Sequence, residues 1–306
     1  MRRASLLLAL ALVASCSTSD GDDGARQAAD VSAYEGLGTW VDVYDYVPEF
    51  QQDLTPPDVM PESVDDMAAL GVDTLYLQAA FADADAPDDA VVDADLVGEF
   101  LTRAHDHDLR VVAWYLPRLG DVDADLRLVE ALHEFEADGE RFDSIALDIE
   151  WTADVPDTTE RNERLVDLTE RSRLIVGEDA LGAIVLPPVQ LEVVNPQLWP
   201  EFPWIDLAPH YDVWLPMAYF TFRDGEHREA HRYVDESVRR LRANLDDSDA
   251  SVHAIGGIAD VTSVVDVDGI RRAVDDGELI GWSLYDYETT PSPLWPWLRS
   301  SRSAAG

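Results

Sequence analysis

The stretch "RFDSIALDIEWT", Arg141 to Thr152, has the shape of a buried strand that ends in charge. Its middle is an apolar run of one strand's length, and it closes on Asp148 and Glu150, two residues apart, with Trp151 directly behind. Side chains alternate along a strand, so Ala146, Asp148 and Glu150 share one face while Ile145, Leu147 and Ile149 share the other. The apolar set is expected to pack against helices, which turns the acids toward an axis or a mouth. A charged pair there is costly to desolvate without partners or a purpose. The plainer alternative is that the two carboxylates cap a helix or pair with an arginine at a rim.

Runs of the same kind recur on both sides. From Gly36 onward eight of them alternate with polar loops and amphipathic stretches: Gly36 to Tyr44, Val72 to Gln78, Leu109 to Pro117, Phe142 to Glu150, Leu181 to Pro188, Tyr211 to Tyr219, Val252 to Ile258 and Leu279 to Tyr287. Helical patterns such as "PESVDDMAALG", "ADLVGEFLTRAHDHD" and "EAHRYVDESVRRLRANL" lie between them, several ending in Gly just before the next strand. Eight such units in about 250 residues predict an α/β protein with a single (β/α)8 domain, a TIM barrel, over 36–300. A doubly wound open sheet is the rival, but "VYDYVPEF" follows the first strand where a glycine-rich phosphate loop would stand. The fifth connection, "VQLEVVNPQLWPEFPWIDLAPH", has little helical pattern and is expected to overhang one rim of the site.

The N-terminus carries its own signals. Arg2 and Arg3 precede an apolar run, Ala4 to Ala14, that is too short to span a bilayer but suits a signal peptide. It ends in "VASC", which resembles the lipobox of bacterial lipoproteins and implies lipidation of Cys16, the only cysteine. The expected organisation is a signal peptide over 1–15, a flexible acidic tether over 16–35, the barrel, and a disordered tail over 301–306. That places the protein outside the cytoplasm, anchored to the cell membrane through its lipid alone. The formal net charge is −40, from 62 acidic against 22 basic residues, and every basic residue is Arg. Such a charge disfavours nucleic acid and anionic lipid as direct partners. A monomer is expected.

In a barrel of this type the chemistry sits at the C-terminal ends of the strands. There the sequence resembles the chitinase-like glycoside hydrolases of family 18, whose fourth strand carries Asp-Gly-x-Asp-x-Asp-x-Glu. Here Asp143, Asp148 and Glu150 match the first Asp, the last Asp and the Glu, while Ser144 replaces the Gly and Ala146 the middle Asp. "MAY", Met217 to Tyr219, is similar to the family's Met-x-Tyr on the sixth strand, and "GWSLYD" on the last is similar to Gly-x-x-x-Trp, with Tyr285 in the place of a sugar-stacking Trp. The lysozyme-like family 25 is a second relative in pattern, with Asp42 or Asp45 matching its first-strand Asp.

The family 18 resemblance implies glycosidic hydrolysis with Glu150 as proton donor, Asp148 orienting the substrate's acetamido group and Tyr219 bonding its carbonyl. Two carboxylates on one strand project in parallel and stand too close to work across a sugar ring. A second carboxylate from another strand is the alternative to acetamido assistance, with Asp45 and Asp286 as candidates. Asp42, Tyr44, Asp45, Trp114, Trp151, Trp214, Tyr285 and Asp286 are the expected oligo- or polysaccharide contacts, the aromatics because flat apolar faces with polar edges suit pyranose rings. Arg223 and His227 stand just past the sixth strand and are further candidate contacts. His105 with His107, and His227 with His231, lack a third ligand in view, so no metal site is expected, and no cofactor fingerprint is present. The rival from another class is a catalytically inactive, surface-anchored carbohydrate-binding barrel.

Overall fold

The computed structural model describes residues 28–50, 57–82 and 90–299. Cys16, the predicted signal peptide, residues 16–27 of the predicted tether and the predicted tail lie outside the described residues.

Eight parallel strands close into a barrel in chain order. They are β1 (Gly36–Val41), β2 (Thr74–Gln78), β3 (Arg110–Tyr115), β4 (Ser144–Ile149), β5 (Leu181–Val185), β6 (Val213–Pro216), β7 (Ser251–Ile258) and β8 (Gly281–Tyr285). The (β/α)8 expectation holds. Helices Ser63–Leu70, Ala94–Asp106, Val122–Glu134, Thr158–Val176, Ala230–Leu245 and Val264–Asp276 cover the outside. Many start on a side chain that accepts a first-turn N–H: Asp93 from Leu96, Asp121 from Ala124, Asp157 from Glu160 and Ser263 from Asp266. Part of the chain's acidity is therefore spent at helix N-termini, where negative charge is favoured. Among the described residues no helix is long and apolar enough to cross a membrane.

Alternation divides the apolar residues into two clusters. Ile145, Leu147 and Ile149 join the larger one between strands and helices, and Ala146 joins the one inside the barrel with Trp40, Tyr76, Val112, Trp114, Ile184 and Leu215. Trp40 stacks on Tyr76 at 4.2 Å between ring centroids and donates its Nε1–H to Ser283 Oγ at 2.8 Å, so the middle of the barrel is solid.

The tether boundary drawn at residue 35 falls inside folded structure. Ser32–Tyr34 forms a short 3-10 turn whose Tyr34 is fully buried. Its hydroxyl lies 2.7 Å from Ser144 Oγ and donates to the Ile145 carbonyl oxygen at 2.9 Å. Thr74 Oγ1 donates to Ala33 O, and His253 Nδ1 lies 2.8 Å from Tyr34 O. Gly182 is required beneath the ring, since a Cβ there would meet the Tyr34 hydroxyl at 2.7 Å. This turn plugs the N-terminal end of the barrel, and its small polar-spaced sequence gives no hydrophobic period to reveal it.

Two further elements differ from expectation. The first strand stops at Val41 because Asp42 caps the short helix Val43–Tyr46. The fifth connection folds into a π-helical turn, Gln190–Val194, and the short helix Trp204–Leu207, and it tucks inward: Trp199 is buried, donating its Nε1–H to Asn162 Oδ1 at 2.6 Å with Arg161 over its ring.

Tyr34→Ala should cost about 3–5 kcal/mol in denaturant unfolding, as for other large buried aromatics, and Tyr34→Phe about 1 kcal/mol. A cost near zero for the alanine variant would show that the plug is dispensable.

Candidate functional site

At the C-terminal mouth the inward positions of several strands meet in a cavity of about 350 Å³. Asp42 just past β1, Gln78 from β2, Trp114 from β3, Asp148 from β4 and Glu150 just past it, Met217 and Tyr219 after β6 and Tyr285 from β8 line it, with Tyr44, Phe81, Leu116, Arg118, Trp151 and Ile258 at its walls. Asp148, Glu150 and Tyr219, assigned from the sequence as the reacting groups, thus share one hollow. So do Asp42, Tyr44, Trp114, Trp151 and Tyr285.

Asp148 is 8 % exposed, and its Oδ1 has no hydrogen-bond partner. Burial, reinforced by the neighbouring Glu150 charge, pushes its carboxyl well above the usual carboxylate range. Glu150 is exposed as a residue, yet the cavity wall around its carboxyl partly removes it from water and raises its pKa as well. Two groups so placed titrate as a pair that holds a proton where isolated carboxylates have lost theirs. The Tyr219 hydroxyl, pushed up by burial and by the charges of Asp148, Glu150 and Asp286, stays protonated and able to donate. Trp114, 5 % exposed, leaves its Nε1–H without a partner.

The opposite wall is held by hydrogen bonds. The Tyr285 hydroxyl donates to Asp42 Oδ2 at 2.6 Å, and Asp42 Oδ1 accepts from the Tyr44 backbone N–H at 2.8 Å. Arg118 lies 3.9 Å over the Trp151 ring and donates to Asp154, which also accepts from Trp151 Nε1 at 3.0 Å.

Other expected contacts stand elsewhere. Trp214 is buried on the outer face, 5.5 Å from Tyr211 and 5.9 Å from Trp204 between ring centroids. On β6 the inward residues are Val213, Leu215 and Met217, so Trp214 has the wrong parity to reach the mouth. Asp45 and Asp286 are buried behind Asp42, off the cavity wall. Asp45 accepts from the Asp42 backbone N–H at 3.0 Å, and Asp286 accepts from both the backbone and the hydroxyl of Thr289 at 2.8 Å. Carboxylate oxygens of Asp42, Asp45 and Asp286 lie within 4.8 Å of one another. Arg223 donates to the Tyr233 hydroxyl and His227 lies 3.5 Å from Glu236, both away from the cavity. Asp143, the first acid of the fourth-strand pattern, sits at the far end of β4, accepting from Val111 N at 2.8 Å. The fifth connection contributes nothing to the cavity wall.

Gln78, Phe81, Leu116, Arg118 and Ile258 were not anticipated. Gln78, Leu116 and Arg118 were within reach of the sequence, as strand-end residues on β2 and just past β3. Ile258 was not: the β7–β8 register shifts between Ile255 and Ile258, and that irregularity returns Ile258 to the inward side against simple alternation.

No protein-family model matches the sequence, and no curated protein is similar to it in sequence. Solved structures do share the fold. The glycoside hydrolase domain of PgaB (BpsB) from Bordetella bronchiseptica superposes with a TM-score of 0.59 at 15 % identity, over 89 % of this chain and 99 % of that one. A class V chitinase from Pseudomonas fluorescens Pf-5 gives 0.60 at 9 % identity, over 87 % and 99 %. The endo-β-1,4-mannanase from Thermotoga petrophila gives 0.59 at 8 %, over 85 % and 69 %. The chain therefore shares its barrel fold with these glycoside hydrolases and chitinases, the fold that the eight strand-and-helix units predicted.

Burial, with the Asp42 charge beside it, pushes the Asp45 carboxyl up to about 9, far above its unfolded value. A carboxyl raised on folding binds its proton more tightly in the native state, so stability falls as pH rises from about 4 through about 9. Asp45→Asn, and likewise Asp148→Asn, should raise Tm by more than about 2 °C at pH 8 and change it little at pH 3. Thermal melts across that range test this; equal shifts at both ends would contradict it.

Proposed function

We propose that this chain hydrolyses glycosidic bonds in a cell-wall or environmental polysaccharide, outside the cytoplasm, held at the membrane by a lipid on Cys16. The observation that carries the reaction class is the convergence of Asp148, Glu150, Tyr219 and the Asp42–Tyr285 pair on one aromatic-walled cavity at the mouth of the barrel. The names of the solved structures of like fold support the same class. The location rests on "VASC" and the apolar run before it.

Glu150 is the proton donor. Its raised pKa keeps the carboxyl protonated where an ordinary carboxylate is not. As the bond between the anomeric carbon and the leaving oxygen breaks, the Glu150 proton passes to that oxygen. A water adds its oxygen to the anomeric carbon and releases one proton, so that one water is consumed and Glu150 is reprotonated. Positive charge developing on the sugar needs a negative neighbour. Asp148 is adjacent, and where a carboxylate from another strand is needed Asp42 takes that role, because it lines the cavity while Asp45 and Asp286 do not.

A second reading, a barrel that binds sugar without cleaving it, is favoured by Ala146. This buried methyl stands where the chitinase-like pattern has the middle Asp, and Asp148 Oδ1 has no partner.

Glu150→Gln should lower kcat on a susceptible glycan by about 10²–10⁴ while binding survives. Wild-type kcat should decline as pH rises through the raised Glu150 pKa, since the active form is the acid. Reducing-end release on a panel of soluble glycans measures both. Binding without turnover by the wild type would favour the second reading, and an unimpaired Glu150→Gln would remove Glu150 from the mechanism.

A further inference from the structure

Among the described residues the charged side chains of the cavity wall are three carboxylates and one guanidinium, and none supplies a free positive charge. Asp42, Asp148 and Glu150 line the cavity, with Asp45 and Asp286 close behind Asp42. The one guanidinium in the wall among the described residues is Arg118, and it is engaged throughout. Nε and Nη2 donate to Asp154 at 3.2 and 3.4 Å, Nη1 donates to the Ala82 carbonyl oxygen at 3.2 Å, and its plane covers Trp151.

Two polar atoms in the same wall are buried without partners: Asp148 Oδ1, an acceptor, and Trp114 Nε1–H, a donor. Both belong to residues more than nine-tenths buried. Native proteins rarely leave such groups unsatisfied, because each costs about 1–3 kcal/mol. An occupant that completes the site brings a donor to Asp148, an acceptor to Trp114 and a flat apolar face to the rings.

We propose that the occupant is an amino sugar whose amino group is unacylated and protonated, its ammonium on Asp148 and Glu150 and a hydroxyl oxygen accepting from Trp114 Nε1. This rests on the reading of the cavity as a glycan site and narrows its substrate class. An acetamido N–H also satisfies Asp148 Oδ1, but it is neutral and leaves two crowded carboxyls with no compensating charge. An ammonium brings several donors and a full positive charge, which lets Asp148 ionise while Glu150 keeps the proton it donates. The strand beneath offers no other relief, since Ala146 presents only a methyl, and Tyr219, the group facing the pair from β6, is neutral. Such a sugar has no acetamido carbonyl to meet its anomeric carbon, so that role passes to the Asp42 carboxylate of the opposite wall.

The test needs no knowledge of the linkage. Ligand-observed NMR titration of the full chain at about pH 6, below the range of an α-amino group, would compare the methyl β-glycosides of glucosamine, N-acetylglucosamine and glucose and their galacto counterparts. The glucosamine or galactosamine glycoside should bind about tenfold more tightly than its N-acetyl and neutral counterparts. Asp148→Asn, checked for folding by thermal melt, should lose that preference while still binding the neutral sugar. Should that variant not fold, the wild type titrated at about pH 9, above the range of an α-amino group, should lose the same preference. Tighter or equal binding of an N-acetyl or neutral glycoside overturns this proposal and leaves the hydrolase reading standing, as does a preference that survives the substitution. Binding of none of the six sinks both.

Discussion

Closure of eight parallel strands leaves every second side chain one destination, the barrel axis, and the rest of the molecule is arranged around that constraint. Its lower layer is sealed by Tyr34 and by His253, which is held between Tyr34 O and Ser283 Oγ. Burial lowers the His253 pKa to about 4, so the ring is neutral at physiological pH and adds no charge to the core. The middle layer is filled by Trp40 stacked on Tyr76. Only the upper layer is open, and there the same inward positions carry Asp148, Trp114 and Tyr285. The lower two layers bury aromatic surface and satisfy their polar atoms; the upper one buries a carboxylate and an indole N–H without partners. Stability gained below is what allows an unfavourable arrangement above.

Charge is distributed with the same division. On the outer helices arginines are tied to acids: Arg103 to Asp65, Arg171 to Asp123 and Asp167, Arg240 to Glu192 and Glu236. Each exposed pair is worth little by itself, but together they engage much of a small arginine complement on the flank of the barrel. At the mouth Arg118 is turned onto Trp151 and Asp154. Among the described residues no free cation reaches Asp148 and Glu150 there, and burial raises the pKa of both.

The parity that governs the barrel also determines what the sequence could reveal. The fourth run announces itself because three apolar residues of one parity alternate with Ala146, Asp148 and Glu150 of the other, and both sets land where alternation places them. Trp214 shows the same rule neglected: counted back from Tyr219 and Met217 it has the outward parity, and its size and aromaticity said nothing about direction. Asp45 and Asp286 follow the strand ends, where the chain turns out of extended geometry and alternation ceases to apply; their burial behind Asp42 depends on the short helix Val43–Tyr46 and on the Thr289 hydrogen bonds. Ile258 depends on a register shift, and Tyr34 on a turn of three residues, neither of which has a periodic signature.

The fold is shared with enzymes at 15 % identity or less, so what those barrels and this one have in common is layer architecture and not a conserved set of contacts. Under the chitinase-like resemblance, Ala146 stands where a middle acid would support Asp148. Asp148 must then find its partner across the cavity or in the occupant. Across the cavity Asp42 is committed to Tyr285 and Tyr44, and Arg118 to Asp154, which leaves the neutral Tyr219 facing the pair. On the proposed reading, one methyl in place of one carboxyl moves the missing hydrogen bond from the protein to the bound sugar, and the charge of that sugar becomes what the site distinguishes.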